Sequence, residues 1–193
     1  MPRRRTLIGV IGSGSQSFPD LCVPLGTWLA EKGFDLINGG GQGVMEEVAK
    51  AFAEVKNREG RVIGVIPSLA HYPTPDQRAE YEAPPGYPNT FTDIVIRTHL
   101  PFVGPEGKET ASRNHIIILS SDLIIALPGS EGTRTEIELA IEYGKPLILI
   151  SPDGEWDEFA SNAVVVNTLQ AAVNRLEEWM RGEPPLRGEE NWA

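Results

Sequence analysis

Apolar positions along the chain follow two periods. Short, β-branched apolar runs occupy 6–11, 34–37, 61–66, 93–98, 122–127, 146–150 and 163–166. Each has the length of a strand, and nearly continuous apolar character suits strands buried on both faces of a parallel sheet. Between these runs, apolar residues recur at three- and four-residue spacing, the period of a helix. Leu21, Leu25, Trp28 and Leu29 form one such face, opened by Pro19-Asp20 and closed by Gly33. Val44, Val48, Phe52 and Val55 form a second. Leu169, Val173, Leu176 and Met180 form a last inward face over 168–181. Further helices are predicted over 109–121 and 133–143, and a short one over 155–162. Strands alternating with helices predict an α/β fold, a doubly wound, mostly parallel sheet of Rossmann-like type. With no repeats and no change of composition, residues 1–182 read as a single domain, followed by a polar, Pro-rich tail at 183–193.

One stretch departs from both periods. Residues 69–92 are rich in Pro, Tyr and acidic side chains and carry no clear pattern. An aperiodic loop of this length is usually functional or mobile. It reads as a flap, an oligomer contact or a plain surface excursion.

In parallel sheets of this type, ligands bind beyond the carboxyl ends of the strands. Three of those ends are glycine-rich: Gly12-Ser13-Gly14, then Gly39-Gly40-Gly41-Gln42-Gly43, then Pro128-Gly129-Ser130-Glu131-Gly132-Thr133. Glycine lets backbone approach a ligand closely, and a helix start offers unpaired N–H groups to an anion. The third loop is therefore the candidate phosphate site, through Gly129, Ser130, Gly132 and Thr133. Glu136 lies one turn into the helix that follows and faces what the phosphate carries. Thr133-x-x-Glu136 also reads as a capping box, with Thr133 as N-cap and Glu136 reaching back to its N–H. Arg113, near the start of the helix before the fifth strand, can reach the same edge.

Charge and composition narrow the partners. The 193 residues carry a net charge of -10, which argues against nucleic acid or an anionic membrane surface as a partner. No apolar run approaches the roughly 18 residues of a membrane span. Arg3-Arg4-Arg5 precedes an apolar stretch, but Gly9 interrupts it and no cleavage pattern follows, so it reads as a strand. The single cysteine, Cys22, reads as a small core residue, and a chain without disulfides suits a reducing, cytoplasmic compartment.

Several chemistries fit poorly. A dinucleotide fingerprint starts at Gly12-Ser13-Gly14, but Ser17 stands where its third glycine belongs, and the second strand ends in Asn38-Gly39 rather than an acid. The chain holds no Gly-Lys-Ser/Thr of a P-loop, and Pro128 stands where a nucleophile elbow has its first glycine. His71, His99 and His115 show neither triad nor metal spacing, so no metal is expected. The glycine loops contain no lysine for a pyridoxal Schiff base, and no cofactor is expected.

Gly39-Gly40-Gly41-Gln42-Gly43-Val44-Met45, followed by Val48-Ala49, resembles the first glycine motif of the LOG-like Rossmann proteins. That superfamily includes the cytokinin-activating phosphoribohydrolases, often labelled lysine decarboxylases, and the molybdenum-cofactor carrier proteins. The run from Pro128 to Glu136, PGSEGTRTE, resembles their second motif, PGGxGTxxE. Arg113 stands at the spacing of the family's active-site arginine. The resemblance covers roughly residues 6–150 and adds Met45 and Asn114 to the ligand-binding set. It implies a homodimer or homotetramer that binds a nucleoside 5'-monophosphate or a similar small phosphorylated ligand. In the hydrolases, the base–ribose bond is cleaved to free base and ribose 5-phosphate, with Glu136 matching the catalytic carboxylate and Arg113 its partner. Asn114 after Arg113, and Glu46 after Met45, look more like the carrier branch, where the same loops bind a phosphorylated cofactor without cleaving it. Both activities stay open at this point.

Overall fold

The computed structural model describes residues 4–183. Seven strands, β1 (Leu7–Ile11), β2 (Asp35–Asn38), β3 (Val62–Ile66), β4 (Ile94–Arg97), β5 (Leu123–Ala126), β6 (Leu147–Ile150) and β7 (Val164–Val166), form a single sheet. Its order is β4-β3-β2-β1-β5-β6-β7, and every neighbouring pair is parallel. The helices are α1 (Pro19–Glu31), α2 (Val44–Glu54), α3 (Pro75–Ala79), α4 (Asn114–Ser120), α5 (Glu131–Glu142) and α6 (Leu169–Met180). The fold is thus the α/β, doubly wound arrangement that the alternating pattern predicts.

Alternation along the central strands builds two cores. On β5, Leu123 and Ile125 pack with α1, α2 and α6, whereas Ile124 and Ala126 pack with α4 and α5. On β6, Ile148 and Ile150 take the first side, and Leu147 and Leu149 the second. All eight side chains are fully buried, the condition a parallel sheet imposes. Cys22 lies in the first core, where burial pushes its thiol up to about 12, so it is an inert packing residue. The half of the second face over β3 and β4 has little helical cover. Ile94 and Ile96, in register with Ile63 and Val65, are 46% and 40% exposed.

Several elements differ from the sequence reading. Met180 was expected inward but is 48% exposed, because α6 turns Ala172 and Leu176 to the sheet and packs Trp179 beside them. The helix expected over 109–121 spans only Asn114–Ser120. Turns take up the preceding residues, with the Gly107 N–H donating to the Gly104 carbonyl and the Ser112 N–H to that of Glu109. The short helix expected over 155–162 is a single 3-10 turn, Asp157–Phe159. Beside it, Trp156 is buried and its Nε1 donates to the Leu127 carbonyl at 3.2 Å. Residues 184–193 of the expected tail lie outside the described residues. Among the described residues, no helix is long and apolar enough to cross a membrane.

Winding changes direction at β1. Strands β2 to β4 are laid out on one side of it and β5 to β7 on the other, so the crevice between β1 and β5 is the topological switch point. The three glycine loops converge there through Ser13. The Ser13 N–H donates to the Pro128 carbonyl at 3.1 Å, and the Val44 N–H donates to the Ser13 carbonyl at 2.9 Å. Gly43 makes the second contact possible. Its φ of 65° is open to glycine, and a Cβ there would overlap the Ser13 carbonyl oxygen. Gly43→Ala should therefore destabilise the protein by at least about 2 kcal/mol. Equilibrium urea unfolding measures this, and an unchanged midpoint would show that the loops are not locked at Ser13.

Candidate functional site

A cavity of about 360 Å³ opens at the switch point. Its floor is the end of β1, at Val10, Ile11 and Gly12. One side is formed by Gly39 and Met45 after β2, the other by Ser130, Gly132 and Thr133 after β5, and Arg113 and Asn114 come from the start of α4. Of the residues singled out from sequence, Gly12, Gly14, Gly39, Met45, Arg113, Asn114, Ser130, Gly132, Thr133 and Glu136 line this one space. Ser13, Gly40, Gly41, Gly43, Pro128 and Gly129 sit behind it and build the loops. The Ser13 hydroxyl accepts from the N–H groups of Ser15 and Gln16, which holds its own turn. Asn38, fully buried, ties the second loop by accepting from the Gly40 N–H and donating to the Met45 carbonyl.

Helix α5 starts three residues earlier than the capping-box pattern requires. Its N-cap is Ser130, with an extended backbone, and its first helical bond runs from the Arg134 N–H to the Ser130 carbonyl. Thr133 is therefore the third helical residue rather than the N-cap, and its side chain folds back over Gly129. Glu136 falls three positions further on, out of reach of any capping role. The capping-box reading is thus overturned: no side chain caps α5. The start of α5 presents unpaired N–H groups and its positive dipole end to the cavity.

The Glu136 carboxyl makes no hydrogen bond among the described residues and lines the cavity. Burial raises its carboxyl from an ordinary 4.5 to about 7, and the Arg113 charge works in the opposite direction. Arg113 is itself 4% exposed, and its Nε and Nη1 atoms find no hydrogen-bond partner among the described residues. Its guanidinium lies over Gly39, where a Cβ would collide with Nη2 and come 2.8 Å from the Met45 sulfur. A buried cation with unused donors and a half-buried carboxyl of raised pKa, facing one cavity, are the features by which a candidate ligand site is recognised.

Ser15 and Glu131, from the first and third loops, also line the cavity, together with Tyr87, Val103, Gly104 and Pro105, which carried no signal in the sequence. Gly104 and Pro105 are brought in by Thr135, whose hydroxyl donates toward the carbonyls of Gly104 and Gly132. Tyr87 belongs to the aperiodic 69–92 stretch. None of the three histidines lines the cavity. His115 is held through Nδ1 by the Tyr143 hydroxyl at 2.6 Å and through Nε2 by the Lys108 and Glu109 carbonyls.

The model of the SLOG cluster4 family matches residues 5–178. The chain belongs to this family. This SLOG protein is 33% identical over 147 residues to an uncharacterized protein of Archaeoglobus fulgidus, covering 75% of this chain and 80% of that one. It is 32% identical over 165 residues to a probable cytokinin riboside 5'-monophosphate phosphoribohydrolase of Oryza sativa. That match covers 80% of this chain but only 62% of the rice protein. Among solved structures, the molybdenum cofactor binding protein of Rippkaea orientalis superposes with a TM-score of 0.68 at 26% identity, covering 92% of this chain and 98% of that one. Relatives in both branches of the LOG-like superfamily are thus present.

The raised Glu136 pKa has a consequence for the SLOG fold itself. A carboxyl that holds its proton more tightly when folded stabilises the fold below about pH 4.5, and that contribution is lost as the pH rises to about 7. Glu136→Gln should match the parent protein at low pH and exceed it by about 3 kcal/mol above pH 7. Thermal unfolding at both ends of this window measures the gap. A difference of the same size at both pH values would mean that Glu136 does not titrate in this range.

Proposed function

We propose that this protein binds a nucleoside 5'-monophosphate, or a similarly phosphorylated small molecule, and hydrolyses its N-glycosidic bond to free base and ribose 5-phosphate. The observation that carries this reading is Glu136, a half-buried carboxyl lining the cavity, free of any capping role and beside Arg113, whose Nε and Nη1 donors are unused among the described residues. The phosphate would lie at the start of α5, on the N–H groups of Gly132 and its neighbours, where the helix dipole favours an anion. Anchoring there spends binding energy of the non-reacting phosphate on placing the ribose over Glu136. Departure of the base leaves positive charge on the ribose ring, which a carboxylate stabilises across a short gap. Water then adds its oxygen to the anomeric carbon, and its proton goes to the base. Arg113 supplies donors to ribose hydroxyls and keeps part of the Glu136 population ionised near neutral pH. The kinship with a phosphoribohydrolase supports this chemistry.

A second reading is a carrier that holds a phosphorylated cofactor such as molybdenum cofactor and cleaves nothing. The structural likeness to a molybdenum cofactor binding protein favours it, together with Asn114 after Arg113. The homodimer or homotetramer expected from sequence would meet on the poorly covered face at Ile94 and Ile96, since parallel sheets are normally buried on both sides.

Incubation with a panel of nucleoside 5'-monophosphates, followed by chromatography of the free bases, separates the two activities. The hydrolase reading expects base release, reduced at least about a hundredfold by Glu136→Gln. Its pH limb near 7 should move upward in Arg113→Met, because the lowering effect of the cation is gone. No base from any nucleotide would sink the hydrolase and leave the carrier. For the assembly, Ile96→Asp should lower the mass measured by light scattering, and an unchanged mass would exclude that face.

A further inference from the structure

The 69–92 stretch is aperiodic in sequence but anchored in the fold. After α3 it returns across the second glycine loop, where the Asn89 N–H donates to the Gly40 carbonyl at 2.7 Å and its Nδ2 to the Gly41 carbonyl at 2.9 Å. Asn89 is 6% exposed, and its own carbonyl oxygens turn the chain by accepting from Phe91 and Thr92. Just before it, Gly86 packs on Gln42 and the Tyr87 N–H donates to the Pro84 carbonyl. Tyr87 is thus held from both sides. Its ring lies against the Gly41 backbone, where an added Cβ would come 2.7 Å from it, and Arg113 sits over its face with Cζ 5.1 Å from the ring centre. A ring face beneath a buried guanidinium offsets part of the cost of burying its charge.

Topology decides which part of a ligand Tyr87 meets. The α5 start lies on the β5 side of β1, whereas Tyr87, Gly39 and Met45 lie on the β2 side. A ligand with its phosphate at α5 crosses β1 and reaches Tyr87 with its other end. There it finds an aromatic ring, a thioether and the edge of a guanidinium plane, surfaces that suit a flat nitrogen heterocycle.

We propose that Tyr87 is a specificity-determining residue of this site: its ring packs against the heterocyclic end of the phosphorylated ligand. This rests on the nucleotide reading given above and extends it to ring selection. The test compares two probes by calorimetry, a nucleoside 5'-monophosphate (the tightest of AMP, GMP, CMP and UMP) and ribose 5-phosphate, which lacks the base. Both are titrated in the Glu136→Gln background so that no turnover intervenes. Tyr87→Leu should weaken the nucleotide about tenfold or more while changing ribose 5-phosphate by less than about twofold. Tyr87→Phe, which keeps the ring, should stay within about threefold for both. Equal weakening of the two probes by Tyr87→Leu, or no weakening of the nucleotide, overturns the assignment and leaves the nucleotide reading standing. Failure of the parent site to bind any of the nucleotides overturns that reading and this inference with it.

Discussion

The site depends on the Ser13 backbone, whose N–H donates to Pro128 and whose carbonyl accepts from Val44. These two bonds join loops that leave three different strands and are separated by up to 115 positions in the chain. Neither bond involves a side chain, so neither constrains residue identity directly. The constraint falls instead on the neighbours: Gly43 must leave room at Ser13, and Gly12 must leave room at Val44. With the backbone held there, the start of α5, the end of β1 and the second glycine loop enclose a single cavity. Buried backbone groups away from water must be paired, and here the pairing also fixes the geometry of the site.

Around that frame the charges are arranged at the expense of stability. Arg113 is buried and Glu136 half-buried, yet neither satisfies the other's hydrogen bonds. A protein that used the pair only to hold itself together would close the gap into a buried ion pair, with every donor used. Leaving it open keeps an acid that titrates near neutral pH facing a cation with free donors. That combination suits a ligand carrying both hydroxyls and a site of developing positive charge.

The segment between β3 and β4 links an exposed excursion to the site. It starts as an exposed excursion, with α3 fastened by the reciprocal Thr74 and Gln77 capping bonds, and ends as part of the site. Asn89 couples it to the glycine loop, and Tyr87 couples it to Arg113. The cation that faces Glu136 is thus touched both by the second glycine loop at Gly39 and by a stretch outside it at Tyr87.

What the sequence determined by itself is local or periodic. Strand alternation, helical spacing and glycine at strand ends act within a few residues, so the seven strands, the main helices and the three-loop edge were legible from pattern alone. Their convergence with Glu136 and Arg113 on one edge was legible as well, because a parallel sheet puts every strand exit at the same end. Only the tertiary structure decided the rest. The start of α5 at Ser130 depends on how that loop packs against Ser13, and it moved Glu136 out of a capping position that the Thr-x-x-Glu spacing favoured. Tyr87 left no trace in any period, since its place is fixed by hydrogen bonds from Asn89 to a loop 48 positions away. Contacts of that range are set by the whole fold, and a sequence pattern can register only what neighbours impose on one another.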